Sequence, residues 1–327
     1  MAAPGPACFD AERNSWVLSR YRDVVDALRE PRMVPASALS TVEAVPLDAA
    51  AHAEFRAQAL RVLAPARWRQ WEAQFAVTAN ERLRALPASR PVDLVLEFAK
   101  PWALEAACAA AGVPREDGER MGDLAHSVFL AAGEPFDGRL EAESRSATQE
   151  LARFFQAAPL EMQMFIALAH SLPAFLGNAW MALAEHPVET AWLRSDPRLL
   201  PKAIDELLRL AGPARAQFRR TVAEVTIGGC TIPAQARVIL RLDRANRDPE
   251  HFPDPDELRF NSRDGDHVAF GAGIHACVGS TLVRWAAAAA THALLDRFSL
   301  PQECTCIKID SFALRYVKSL IVVLEPA

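Results

Sequence analysis

Phe270-Gly271-Ala272-Gly273-Ile274-His275-Ala276-Cys277-Val278-Gly279 sets one cysteine inside a glycine-punctuated loop. An alanine-rich helix is expected to follow, from about Val278 to Asp296. Glycines let backbone pass close to a flat ligand or adopt conformations that other residues resist. A sulfur at a helix N-terminus meets unpaired N–H groups and the positive dipole end, both of which favour thiolate. A thiolate of this kind is an axial ligand for heme iron, where it donates electron density and promotes O–O cleavage. The alternative makes Cys277 a small buried apolar residue, the usual fate of a free cysteine. The glycines, the phenylalanine and the histidine placed around it favour the ligand.

The loop resembles the heme-binding signature of the cytochrome P450 family, and the likeness runs from Trp16 to the end, most strongly over residues 203–285. Glu206-Leu207-Leu208-Arg209 resembles the family's Glu-x-x-Arg helix motif. Ala245-Asn246-Arg247-Asp248-Pro249, then Phe252 and Asp254-Pro255-Asp256, is similar to the meander that precedes the cysteine loop. His52-Ala53-Glu54-Phe55-Arg56 resembles the His-x-x-x-Arg pair that reaches the heme propionates.

The resemblance implies heme b (iron protoporphyrin IX), with Cys277 as the metal ligand and Phe270, Gly271 and Gly279 as cofactor-binding residues of the same loop. It implies that His52, Arg56, Arg219 and His275 contact the propionates, arginine through a permanently charged fork and histidine through its ring N–H. Glu206 and Arg209, three apart on one helix face, read as members of a buried structural triad. Arg263 is the candidate third member, with Arg259 second. On residues alone a solvated surface pair is the ordinary reading; the place before the Pro213 break and the resemblance reverse it.

On the distal side the register set by Gly177-Asn178-Ala179 and His186-Pro187 departs from the family. Ala167-Leu168-Ala169-His170-Ser171 stands where Ala/Gly-Gly-x-Asp/Glu-Thr is usual. Ser171 keeps a hydroxyl where the family's threonine helps deliver protons to bound oxygen. His170 replaces the acid, and Leu168 replaces a glycine. Pro173 removes a backbone donor and opens the local helix. Two readings stand: His170 and Ser171 form an altered proton relay, or His170 fills the pocket and the relay is gone. Family-equivalent lining regions are Leu39–Leu47, Ser127–Phe136 and Phe312–Leu314.

The elements that must position these groups follow from pattern. Trp16–Ser19 reads as a strand and Arg22–Glu30 as a helix stopped by Pro31. From Ala49 onward apolar residues recur at helical spacing, punctuated by Pro65, Pro87, Pro91, Pro101 and Pro114. Leu160–Glu185 reads as one long apolar helix through the protein's middle, ended by His186-Pro187. Thr221–Ile227, Gly228-Gly229 and Ala236–Leu242 read as a β-hairpin, and Phe312–Leu324 includes a strand. The expected fold is mainly α with a minor β-sheet, cytochrome P450-like, as one domain over residues 1–327. Relative to the family it is shortened at the N-terminus and before the long distal helix.

At 327 residues, 51% of them hydrophobic, the chain can bury a cofactor of heme's size. A net charge of −5 argues against a nucleic-acid partner. No apolar stretch approaching the roughly 20 residues of a membrane span stands out. The start lacks a basic region followed by an apolar core, so no secretory signal and no membrane partner is expected. Scattered cysteines fit a reducing cytoplasm.

The resemblance thus implies a heme-thiolate oxidoreductase of specialised metabolism, acting on a small organic substrate by monooxygenation. Electrons would come from a separate ferredoxin or flavodoxin-type donor, since no flavin or Fe–S segment is present. The altered distal residues leave open a peroxide-dependent or non-redox enzyme, and a catalytically silent heme-binding accessory protein.

Overall fold

Alternating and helical apolar patterns sort the chain into a large helical body and a smaller sheet region. The computed structural model describes residues 5–36, 49–63, 65–87, 90–156, 158–260 and 266–326. A ribbon of β1 (Cys8–Asp10) and β2 (Ser15–Leu18) leads to α1 (Tyr21–Arg29) and β3 (Met33–Pro35). Helices α2 (Ala49–Val62) and α3 (Pro65–Ala85) follow, then β4 (Pro91–Asp93) and a π-helical turn, Leu94–Ala99. Asp93 caps that turn by accepting from the Val95 and Leu96 amides at 3.0 Å, satisfying donors a helix start leaves free. Helices α4 (Lys100–Ala111), α5 (Gly118–Gly133) and α6 (Gly138–Phe154) complete the first half. Gly112 closes α4 at φ 69°, a left-handed stop that glycine takes without strain.

The long apolar run becomes α7 (Pro159–Ile166), a π-helical turn over Ala167–Ser171, and α8 (Leu172–Glu185). Pro173 lies in the first turn of α8 and offers no N–H to the carbonyl of Ala169, which explains why the helix widens just there. After α9 (Pro187–Ser195) and α10 (Leu200–Ala211) come β5 (Ala216–Thr221), β6 (Val225–Ile227), β7 (Cys230–Ile232) and β8 (Arg237–Arg241). The chain ends with α11 (Leu242–Ala245), α12 (Ser280–Arg297), β9 (Phe298–Ser299), β10 (Thr305–Asp310), β11 (Arg315–Val323) and β12 (Glu325–Pro326).

Two sheets matter for the site. One has the order β1-β2-β8-β5-β3, its β2–β8 pair parallel. The other, β10-β11-β4, lies against α8 and the first π-helical turn. The main core centres on α4, α8 and α12. Phe98 stacks on Trp180 at 5.5 Å between centroids, and the Trp180 indole N–H donates to Thr291 Oγ1 of α12 at 3.1 Å. Burying rings of this size stabilises by about 1.5–3 kcal/mol each, and the indole hydrogen bond removes the cost of an orphaned donor.

Three sequence expectations change. Gly228 and Gly229, at φ 62° and 78°, turn a tight hairpin between β6 and β7, whereas Arg237–Arg241 pairs with β5. Alternation marks a strand but cannot choose its neighbour. Secondly, the helical run Pro159–Glu185 is 27 residues, and an 18-residue window of it has a mean hydropathy of 1.3, long and apolar enough by composition to cross a membrane. Of that window 67% is buried inside the protein, as in a central core helix. Thirdly, the helix after the cysteine loop begins at Ser280 rather than Val278. The shortening before the distal helix is visible: α6 ends at Phe154 and α7 begins at Pro159.

Candidate active site

Residues 266–279 form the loop that presents Cys277. Gly271 and Gly273 take φ 69° and 72°, the left-handed region where a side chain costs about 1–2 kcal/mol. A Cβ on Gly273 would also sit 2.7 Å from the Leu28 carbonyl and 3.2 Å from Arg29 Cα, so α1 packs directly on the loop. The Gly271 amide donates to the Val268 carbonyl and the Cys277 amide to the Phe270 carbonyl, each at 2.9 Å. These bonds fold the loop back on itself just before α12 starts. Gly273→Ala should therefore lower stability by about 2 kcal/mol or more, from strain and the displaced α1 contact. Thermal unfolding of the variant checks this.

The Cys277 side chain presents accessible surface although protein surrounds it on most sides. Burial pushes its thiol pKa up, while the Gly279 amide and the charges of Arg284 and Arg56 pull it down. Burial wins, so the sulfur keeps its proton unless a cation at the sulfur displaces it. Arg284 lies over the Phe270 ring at 4.7 Å, and its Nε donates to Asp205 Oδ1 at 2.5 Å. His267 Nδ1 accepts from the Ala269 amide, which leaves Nε2 to donate to the same Asp205 oxygen at 3.3 Å. Sequence reasoning does not bring Asp205, His267 and Arg284 together. The available signal is that Arg284 lies two turns beyond Cys277, on the loop's side of α12.

Cations approach from two further elements. Arg56, on α2, donates from Nη1 to the Ala276 carbonyl at 2.7 Å, which pins α2 to the cysteine loop. His52 lies one turn earlier on the same helix, and its side chain lies outside the described residues. Arg219, on β5, is buried. It donates to its neighbour's carbonyl on Phe218 and to Gln217 Oε1. Its Nε has no partner. No carboxylate is paired with it among the described residues, and burial pushes its pKa down to about 10. His275 sits in the short turn Gly273–His275, on the same loop.

These residues fit the group that the resemblance implies. A buried arginine with an orphaned Nε calls for an anion, and heme carries two propionates. Cys277 offers the soft donor that its iron takes.

Glu206 and Arg209 sit in a buried bidentate pair, 2% and 5% exposed, at 2.8 and 2.7 Å. Arg209 also donates to the carbonyls of Asn246, Pro255 and Glu257 at 2.9, 2.7 and 3.0 Å, so one guanidinium gathers the meander onto α10. Arg263 lies outside the described residues. Arg259 reaches Glu206 with its backbone amide, at 3.1 Å, while its guanidinium pairs with Asp254 on the surface. The surface-pair reading of Glu206 and Arg209 is thereby set aside.

On the distal side His170 points at α5. Its Nε2 lies 2.9 Å from the Gly122 carbonyl, and its ring lies 5.1 Å from His126 and 5.7 Å from Phe129. A carbonyl only accepts, so Nε2 carries the hydrogen and Nδ1 is left as an acceptor. Burial pushes the His170 pKa down to about 4, with His126 and Lys100 adding to the effect. Burial lowers His126 and Lys100 as well. Leu168 packs into the main core, and Ser171 is half-buried at the end of the π-helical turn.

The sign of the pH effect follows. Above pH 6.5 His170 is neutral in folded and unfolded chains alike. As pH falls from 6.5 towards 4, the unfolded chain takes up a proton that the folded one refuses. Stability then declines by up to roughly 3 kcal/mol. His170→Gln should flatten that part of the acid limb, read from urea unfolding at several pH values.

The lining regions converge in part. The Ala313 amide donates to the Gly133 carbonyl at 2.9 Å and the Phe312 amide to Glu134 at 3.3 Å. Rings of Phe136, Phe218 and Phe312 lie 5.2–6.0 Å apart, which joins the end of α5 to the turn before β11. Leu39–Leu47 lies outside the described residues.

A mainly helical body, a cysteine loop braced by α1 and α2, and a π-widened core helix define a heme-thiolate class of site. Comparison with known proteins agrees. The sequence profile of the family Cytochrome P450 matches residues 191–315. The chain is 30% identical over 309 residues to "Vitamin D(3) 25-hydroxylase" of Pseudonocardia autotrophica, covering 82% of this chain and 77% of that protein. It is 29% identical over 335 residues to "Cytochrome P450 107B1" of Saccharopolyspora erythraea, covering 87% and 82%. Among solved structures, P450BioI in complex with an acyl carrier protein ligated to hexadec-9Z-enoic acid superposes with a TM-score of 0.86. At 23% identity, over 95% of this chain and 92% of that one, it shows a shared fold. The chain belongs to the cytochrome P450 family. It is a heme-thiolate enzyme of the bacterial type.

Proposed function

We propose that this chain is a heme b monooxygenase that oxidises a small organic substrate in specialised metabolism, with electrons delivered by a separate ferredoxin or flavodoxin-type protein. The observation that carries the reading is the combination of an accessible Cys277 in its glycine-braced loop with a buried Arg219 that has no carboxylate partner among the described residues. Heme, when bound, supplies the oxidising chemistry. Cys277 holds the iron. Arg56, Arg219, His275 and His52 meet the propionates, and Asp205, His267 and Arg284 fix the loop behind the sulfur. Ser171 handles protons at its hydroxyl, and His170 accepts a hydrogen bond at Nδ1. The aromatic trio of Phe136, Phe218 and Phe312 restricts substrate shape. Cytoplasmic localisation is part of the same reading.

The test is turnover of a screened substrate set with NAD(P)H, ferredoxin and ferredoxin reductase, monitored by oxygenated product. Product that depends on reductant and dioxygen supports the proposal. Its absence, with intact thiolate spectra, overturns it.

A second reading, in which peroxide is the oxidant, is favoured by one feature. Neutral His170, its N–H given to the Gly122 carbonyl, cannot replace the proton-donating acid of the usual relay. Turnover supported by hydrogen peroxide alone, and lost with catalase, would select it.

A further inference from the structure

Behind the turn that joins β10 to β11 lies a cavity of about 390 Å³, bounded by α8, the end of α10 and the two strands. This size falls in the range of small-ligand sites. None of the residues assigned above to the thiol loop or the propionates lines it. Its lining combines the apolar side chains Met181, Leu210, Ile309 and Val317 with the cations Arg215, Arg247, Arg315 and the exposed Lys308, and with the acids Glu185, Asp256 and Asp310.

Two of these cations have acids. Arg215 pairs with Asp243 and Asp310, and Arg247 pairs with Asp256. Arg315 makes no direct ion pair among the described residues, although Asp243 and Asp310 act on it through space. It donates instead to the carbonyls of Leu210 at 2.6 Å and Gly212 at 3.4 Å. The Leu210 carbonyl is shared with Arg247 Nη2 at 3.1 Å, so two guanidinium groups lean on one oxygen. Burial first, and repulsion from Arg247 second, push the Arg315 pKa down to about 10. Two carbonyls at the end of a helix offset only part of a half-buried unit charge. Glu185, the remaining acid of the wall, is exposed on α8.

We propose that this cavity binds a small carboxylate with a short apolar body, its head on Arg315 and Lys308 and its body on Met181, Leu210, Ile309 and Val317. A fork-to-carboxylate contact suits a guanidinium with an unpaired edge. The site is placed to be felt by the active site. Arg315 directly follows the lining turn, and its amide is held by the Pro213 carbonyl at 2.9 Å. Tyr316, on the same wall, meets the Phe129 ring at 5.4 Å, and Phe129 packs on His170. A bound carboxylate therefore steadies the turn from behind.

The test is calorimetric and 13C NMR titration of carboxyl-labelled octanoate into heme-loaded protein, with imidazole saturating the iron. One saturable equivalent is expected. It should weaken about tenfold in Arg315→Gln, the loss of one charge-assisted contact, and less in Lys308→Ala. Met181→Trp, which fills the cavity, should abolish it, and octanamide should not compete. Should Arg315→Gln fail to fold, the Lys308 and Met181 variants carry the test. Equal binding of octanamide or inorganic phosphate, unaltered affinity in the variants, or no saturation up to about 10 mM overturns the proposal. These readouts do not depend on the iron, whereas the ferrous–CO spectrum judges the heme reading separately.

Discussion

Cys277→Ser abolishes the thiolate-type Soret band of the ferrous–CO complex while the polypeptide stays folded. Serine keeps the small polar shape, and the loop is held by backbone bonds that do not involve the sulfur: Cys277 amide to Phe270 carbonyl and Gly271 amide to Val268 carbonyl. What disappears is the soft anionic donor. Oxidation of substrate should fall at least about a thousandfold, roughly 4 kcal/mol of transition-state stabilisation. Heme affinity should fall less, because Arg56 and Arg219 remain to meet the propionates. Reconstitution with heme, reduction and carbon monoxide give the readout. A variant that retains the thiolate-type band would remove Cys277 from the iron and with it the proposed function.

Arg209→Leu is expected to cost about 3–5 kcal/mol, the toll of stranding a buried charge. Among the described residues, the substitution leaves the Glu206 carboxylate with only a neutral partner, the Arg259 amide. It also releases the carbonyls of Asn246, Pro255 and Glu257 at once. Against a typical total of 5–15 kcal/mol, that loss empties much of the folded population. Arg209→Lys should rescue little, since a lysine cannot make the fork to Glu206 while reaching three carbonyls. Urea unfolding of both variants, with soluble yield as a second measure, decides it. A drop below about 1 kcal/mol would make the pair a bystander.

The cysteine loop was legible because its demands are local. Positive φ at Gly271 and Gly273 selects glycine, and the distance from Phe270 to Cys277 is fixed by one backbone bond. Glu206 and Arg209 were legible because residues three apart in an α-helix, with about 3.6 residues per turn, share one face. The π-widening at Ala167–Ser171 was foreshadowed by Pro173, whose missing N–H acts on its own helix. Partners far apart in sequence were not. Nothing local to His170 announces His126 or the Gly122 carbonyl. Arg259 shows the same limit from another side, because it serves Glu206 through an amide that every residue but proline possesses. The β6–β7 hairpin was hidden for a third reason: the three residues of Cys230–Ile232 are too short a run to show alternation, and they lie nearer the glycines than Ala236–Leu242.

Four residues, 155–158, separate α6 from α7, and the Ala158 amide is already bonded to the Phe155 carbonyl at 2.9 Å. So short a tether leaves no slack for α5 and α6 to slide as an independent roof. Any swing that admits a substrate must tug on the front end of the helix that carries His170 and Ser171. Under the proposed function, admission and proton handling would be geared together, and lengthening the tether with a few glycines should ungear them.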